Sequence, residues 1–185
     1  MKKYIIVILL FIMGRNSYGQ RMIYSQKGFE VNAGMLSADG INKNFYLNVA
    51  MISFGRHGNY WIWSAEYQKK AIAYMEQFIP VKSFLGDIGY SVQLLADRKK
   101  FISVNLGLTG VGGYELVNKG DSLLVDGAIL RNQNQFVYGT GGRWSLETYL
   151  SDRIVLTLQG RVRILWGTDL NRFRPSSGIG LRFNF

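Results

Sequence analysis

The feature that most constrains this chain is a strict alternation of apolar and polar residues along almost its whole length. In the closing segment, Ile179, Leu181 and Phe183 alternate with Gly180 and Arg182. A period of two residues is typical of a β-strand with one apolar face. The same period recurs in seven earlier segments, so the sequence predicts eight strands. Their apolar series begin at Phe29, Phe45, Trp61, Phe84, Ile102, Tyr138, Ile154 and Ile179.

The links between these predicted strands are alternately short and long. The short links are Gly55–Asn59, Ala96–Lys100 and Ser151–Arg153, and the longer ones are Leu36–Lys43, Gln68–Gln77, Glu115–Gln135 and Gly167–Arg174. Membrane β-barrels have short periplasmic turns and longer outer loops. The alternation of short and long links predicts an all-β fold. We expect a single eight-stranded antiparallel outer-membrane β-barrel with both barrel termini in the periplasm. The apolar middle of the longest loop suggests an external contact or a fold over the barrel mouth.

The amino-terminal region predicts a cleaved signal peptide. Two lysines precede the apolar run Tyr4–Met13, and Ser17–Gly19 supplies small residues for cleavage before Gln20. The run is shorter than the roughly 20 residues that a spanning helix needs, and an uncleaved anchor is the alternative. We expect a signal peptide over 1–19, a short periplasmic lead-in over 20–27 and the barrel over 28–185.

The polar side of the alternation is rich in Gly, Ser, Asn, Thr, Gln, Arg and Glu, and contains no lysine. A water-facing exterior favours Lys and Glu with little Gly, whereas the narrow interior of an eight-stranded barrel suits small residues beside a few large polar ones. Buried charges need partners, so we predict a structural charge network in the lumen rather than a catalytic cluster. A soluble periplasmic lipid-binding barrel with an apolar lumen is the alternative. The predicted network comprises Glu30, Glu66, Asp87, Arg143, Glu147, Arg161, Arg163 and Arg182.

Aromatic residues near the predicted strand ends indicate girdles at two membrane interfaces, although strands in general favour aromatic residues. The last two aromatics, Phe183 and Phe185, resemble the carboxy-terminal signal that the barrel assembly machinery recognises. The last strand is therefore expected to direct assembly of the barrel into the outer membrane. The predicted girdle residues are Phe29, Phe54, Tyr60, Trp61, Tyr149 and Phe183 on the periplasmic side, with Phe45 and Trp166 on the outer side.

Several kinds of chemistry are missing from the sequence. The chain has no cysteine, which excludes disulfides, thiolate metal sites and lipid anchoring through Cys. His57 is the only histidine, and a solvated turn residue explains it better than a metal ligand or a catalytic base. The glycines of Gly107–Gly113 are not followed by the helix that a phosphate loop requires. We therefore predict no enzyme, no cofactor and no metal.

Five stretches of the sequence are distinctive: "KGFEVNAGM" (27–35), "AEYQKK" (65–70), "GLTGVGGYELVN" (107–118), "LLVDGAIL" (123–130) and "LETYLSDRIVLTLQGRVRILWGT" (146–168). They resemble the TraO family of conjugal transfer proteins of Bacteroides-type conjugative transposons. The resemblance covers nearly all of the chain from Lys27 to Phe185.

The resemblance implies a structural or accessory outer-membrane component of a type IV secretion-like conjugative apparatus. The expected partners are outer-membrane lipid, other conjugation proteins and the barrel assembly machinery. No direct DNA conduction is expected, because side chains fill so narrow a barrel. The formal net charge of +10 allows a contact with DNA or lipopolysaccharide, or a basic surface without a specific partner. The alternatives are a generic small outer-membrane barrel for adhesion or envelope stability, and an outer-membrane enzyme that depends on His57.

Overall fold

Eight antiparallel strands form one closed barrel, in which each strand pairs with its neighbours in chain order. The computed structural model describes residues 23–36, 44–74, 77–98, 101–117, 134–168 and 170–185. The predicted signal peptide lies outside these residues. No helix in the described part of the chain is long and apolar enough to cross a membrane. The predicted all-β, eight-stranded antiparallel barrel is confirmed.

The strands are β1 (Lys27–Leu36), β2 (Phe45–Phe54), β3 (Tyr60–Tyr74), β4 (Gln77–Ala96), β5 (Ile102–Val117), β6 (Asn134–Tyr149), β7 (Ile154–Trp166) and β8 (Phe173–Asn184). The end of the barrel with the links 55–59, 97–101 and 150–153 is called the turn end, and the opposite end the loop end. Strands β1 and β8 close the barrel, with Glu30 paired to Arg182. Closure leaves the sheet without a free edge at this seam.

The alternation places apolar side chains outside and polar side chains in the lumen, because successive residues of a strand point to opposite faces. On β1, Phe29 and Val31 are exposed, whereas Glu30 and Asn32 are buried. The outer surface is an apolar band, as in a transmembrane barrel. The lumen is the core of this protein, and most of its buried side chains are polar or charged.

The structure corrects the predicted link Gln68–Gln77. Strand β3 continues to Tyr74, β4 begins at Gln77, and these two residues pair with each other. The pairing of β2 with β3 stops at Lys69, so the antiparallel pair formed by residues 70–74 and 77–80 projects beyond β2. Its sequence alternates little but is rich in apolar and aromatic residues, which favour extended pairing.

The structure also shortens the longest predicted loop, Glu115–Gln135, at both of its ends. Strand β5 includes residues 115–117, and β6 begins at Asn134. Residues 118–133 lie outside the described part.

The structure also corrects the predicted periplasmic girdle. Phe29, Trp61 and Phe183 are exposed on the outer surface as expected, but three aromatic side chains of the predicted set are buried inside the barrel: Phe54, Tyr60 and Tyr149. They occupy inward positions of the alternation and pack with Ala50, Ile52, Ile62 and Val155 in one apolar cluster. These aromatic residues close the turn end of the lumen instead of contacting lipid.

Candidate functional site

Four charged side chains form a connected chain of ion pairs near the turn end, here called the lower ion cluster: Glu30, Arg143, Glu147 and Arg182. Arg182 donates from Nη1 and Nη2 to the two Glu147 carboxylate oxygens at 2.8 and 2.7 Å, and from Nε to Glu30 at 2.8 Å. Arg143 donates to the other Glu30 oxygen at 2.8 Å. Two carboxylates therefore balance two guanidinium groups. Such bidentate, charge-assisted contacts are among the stronger hydrogen bonds in proteins.

Neutral donors complete the lower ion cluster. The Tyr60 hydroxyl donates to Glu147 at 2.6 Å, and the Asn32 amide donates to Glu30 at 2.9 Å. The Arg182 guanidinium also lies 4.9 Å from the centre of the Tyr60 ring, a distance that allows a cation–π contact. Arg182 and both of its carboxylate partners are fully buried. These contacts therefore compensate for the hydration that the charged groups lose on folding.

A second set of four charges, the upper ion cluster, lies closer to the loop end: Glu66, Asp87, Arg161 and Arg163. Arg163 bridges the two acids, donating at 2.6 Å to Glu66 and at 2.6 Å to Asp87. Arg161 donates to the second Glu66 oxygen, and its guanidinium lies 4.2 Å from the centre of the Tyr46 ring. This set is also neutral as a whole. All eight predicted network residues thus contact an opposite charge, in two groups of four.

A separate ion pair, missing from the prediction, lies at the loop end and is called the mouth pair. Arg174 donates to both Glu115 oxygens at 2.7 and 3.2 Å. Ser83 and Thr168 also donate to Glu115, at 2.8 and 2.7 Å. The prediction placed Glu115 and Arg174 in loops because the strands were ended too early. Glu115 continues the inward series of Gly107 and Thr109 in steps of two residues, and Arg174 continues the inward series of Arg182 and Gly180. Extending these two series would have placed both side chains inside the barrel.

Little free space remains between the two ion clusters. The cavity bounded by Asp87, Arg143 and Arg161 has a volume of about 10 Å³, which is room for roughly one water molecule. At the loop end, the mouth pair borders a larger cavity of about 390 Å³, lined also by Gln68, Lys70 and Phe173. The described lumen is therefore tightly packed beside the two ion clusters, and a larger cavity lies at its mouth.

The described residues contain no group of three or more His, Asp or Glu side chains placed to hold a metal ion. His57 lies in the three-residue 3₁₀ turn between β2 and β3, where its side chain is exposed. Gly107–Gly113 lies entirely within β5. The lumen charges are engaged with one another, an arrangement suited to holding the strands together.

Among the solved structures with a similar fold are two outer-membrane β-barrels. Neisserial surface protein A superposes with a TM-score of 0.61 at 12% identity, covering 86% of this chain and 97% of that one. Ail, the attachment invasion locus protein of Yersinia pestis, was solved with the heparin analogue sucrose octasulfate. It superposes with a TM-score of 0.56 at 10% identity, covering 88% of this chain and all of the other. At such identities the likeness concerns the fold alone, which is that of an outer-membrane barrel.

Sequence comparison establishes the family. No curated protein matches the chain. A family model described as "Conjugative transposon protein TraO" matches residues 23–185, which include every described strand. The match supports a role associated with conjugation. The chain therefore belongs to the TraO family of conjugative transposon proteins.

Proposed function

We propose that this protein is a structural component of the conjugative transfer apparatus in the outer membrane, acting through its two ends rather than through its lumen. Membership of the TraO family supports the link to transfer. The filled lumen is the single observation that carries the rest of the proposal. Two neutral ion clusters and an apolar cluster occupy a barrel whose interior is only just wide enough for side chains.

We infer that the ion clusters are structural, since their charged groups bind one another. A nucleic acid strand in transit would need a continuous path along the barrel axis. The cavity bounded by Asp87, Arg143 and Arg161 holds only about 10 Å³, far less than a nucleotide needs. The protein therefore contributes a scaffold or a docking surface, and other components carry the DNA.

The proposed orientation places the turn end and both barrel termini in the periplasm. Short turns at one end support it, since they mark the periplasmic side of outer-membrane barrels. Export would use residues 1–19 as a signal peptide, with residues 20–27 as a lead-in. A cysteine introduced for His57 and probed in intact cells with a membrane-impermeant thiol reagent should stay unlabelled. Labelling without permeabilising the outer membrane would reverse the orientation.

Phe183 and Phe185 are the proposed signal for the barrel assembly machinery. Both side chains are exposed on the outer surface at the turn end, where no lumen contact constrains their identity. Phe185→Asp should lower the amount of protein in the outer membrane several-fold. Phe173→Asp, a matched aromatic change at the other end of β8, serves as the control. Equal outer-membrane amounts of Phe185→Asp and the natural protein would contradict the assignment.

The role in transfer is tested by deleting the gene from a donor cell that carries the rest of the transposon. Transfer frequency should fall and be restored by the natural chain, and cross-linking in the outer membrane should capture other transfer proteins. An unrelated eight-stranded barrel expressed at the same level is the control. Unchanged transfer would favour the alternative, a generic envelope barrel. Deleting residues 119–130, which lie outside the described part, tests whether the longest loop makes the contact; unchanged transfer would exclude it.

A further inference from the structure

Two lysines face each other on the lipid-facing wall near the loop end. Lys69 of β3 pairs directly with Lys82 of β4. Their neighbours Gln68 and Ser83 point into the lumen and are buried, so the alternation directs both lysines outward. Like charges directly opposite each other destabilise a strand pair. Neither ammonium group has an acidic partner among the residues that the structure describes.

Aromatic residues lie directly beside this lysine pair. One step along the same face, Tyr67 pairs with Phe84, and their ring centres are 5.2 Å apart. Phe45 of β2 pairs directly with Lys69 and lies 6.3 Å from Tyr67, at the level of the lysines. Beyond Phe84 the same register continues with Tyr114 and Phe136 on the next two strands, both exposed.

Such a row of outward aromatics marks the boundary between hydrocarbon and headgroups. Two residues of a strand span about 7 Å, and Lys69 and Lys82 lie that far beyond Tyr67 and Phe84 towards the loop end. The lysines therefore lie at the depth of the lipid headgroups. Opposed side chains start about 5 Å apart at their Cβ atoms, so two flexible lysines can reach one anion between them.

We propose that Lys69 and Lys82 bind the phosphate group of a phosphorylated lipid in the adjoining leaflet. A phosphate monoester carries a charge of about −1.5 to −2 at neutral pH and offers several strong acceptor oxygens. It matches two ammonium groups and removes their mutual repulsion. The aromatic pair Tyr67 and Phe84 packs against the acyl chains of the same lipid, which distinguishes a lipid from a free phosphate ion.

The site does not depend on the proposed role in transfer. It depends on the orientation only for which leaflet supplies the lipid, so a symmetric bilayer tests it separately. The full chain is placed in phosphatidylcholine nanodiscs containing a small fraction of monophosphorylated lipid A, and lipid retained by the protein is measured by native mass spectrometry. Dephosphorylated lipid A is the matched ligand control.

Each lysine near an anionic lipid surface contributes enough for about a fivefold change in affinity, so the double variant Lys69→Gln/Lys82→Gln should bind about thirtyfold more weakly. Lys70→Gln is the matched control, because this neighbouring lysine lines the mouth cavity instead. Equal retention of dephosphorylated lipid A, or an equal loss in Lys70→Gln, would overturn the proposal. So would inorganic phosphate that binds as tightly as the lipid.

A second measurement separates lipid binding from a structural role. In nanodiscs without phosphorylated lipid, Lys82→Gln relieves the repulsion with Lys69 and should raise the midpoint of thermal unfolding. With monophosphorylated lipid A present, the same variant loses a ligand contact and should lower the midpoint relative to the natural protein. A shift of the same sign in both bilayers would overturn the proposal, because a purely structural lysine cannot respond to the phosphate.

Discussion

The two ends of the lumen use the same kind of ion pair but differ in what surrounds it. At the turn end, Arg182 is bidentate to Glu147 with both side chains fully buried, and aromatic residues close the barrel below them. At the loop end, Arg174 is equally bidentate to Glu115, but the pair borders a cavity of about 390 Å³. Glu115 is itself as buried as Glu147, and only Arg174 is partly exposed. The difference teaches that access to water beside an ion pair, more than its pairing geometry, decides how much the pair matters, because water from the mouth cavity can replace a lost partner.

Removing the cation of the lower ion cluster should have the largest effect. Arg182→Met leaves Glu30 and Glu147 with fewer partners and no access to water, so we expect a loss of about 3–5 kcal/mol in the free energy of unfolding. Urea unfolding in lipid vesicles, followed by heat-modifiable gel migration, measures it. Arg153→Met in the exposed turn before β7 is the control. A loss no greater than that of the control would contradict the idea of a sealed turn end.

Removing one neutral donor from the same cluster should have the next largest effect. Tyr60→Phe keeps the ring but deletes the hydroxyl that donates to Glu147 at 2.6 Å. Hydrogen bonds to charged groups contribute about 1.5–3 kcal/mol, and we expect a loss in this range by the same unfolding measurement. Tyr138→Phe removes a hydroxyl from an exposed outer-surface tyrosine and should change little. Similar values for the two variants would show that the hydroxyl of Tyr60 is dispensable.

The seam between β1 and β8 offers a third comparison. A Cβ atom on Gly178 would collide with the Tyr46 hydroxyl and the Ala33 carbonyl, whereas one on Gly142 would meet no atom within 4 Å. Gly178→Ala should destabilise the barrel by about 1–3 kcal/mol through overpacking. Gly142→Ala should be close to neutral. If both alanines have equal effects on the unfolding midpoint, Tyr46 is not held rigidly over the seam.

The mouth pair should give the smallest effect. Arg174→Met removes the bidentate contact to Glu115, yet Ser83 and Thr168 still donate to that carboxylate and the cavity admits water. Although Glu115 is itself buried, we expect a loss of only about 1 kcal/mol, because two neutral donors remain and water from the cavity can replace the guanidinium. The ratio of this loss to that of Arg182→Met measures the contrast between the two ends directly. A loss of equal size would mean that the mouth is as effectively sealed as the turn end.

Much of the fold followed from the alternation, since a period of two residues sets which side chains face outward. The same rule indicated which charges enter the lumen. Errors arose where strand ends had to be located: the mouth pair and the β3–β4 hairpin lay beyond the predicted ends. The buried aromatics Phe54, Tyr60 and Tyr149 were misassigned because nearness to a strand end was given more weight than their position in the alternation.

By itself, then, the sequence determined the number of strands, their inward and outward faces and the charged residues of the lumen, because these depend on local periodicity. Only the tertiary structure decided which carboxylate binds which guanidinium. Glu30 contacts Arg143 and Arg182, while Glu66 contacts Arg161 and Arg163. These choices depend on register and on the curvature that brings distant strands together across the lumen. The pairing of Lys69 with Lys82 likewise became visible only once the register of β3 and β4 was known.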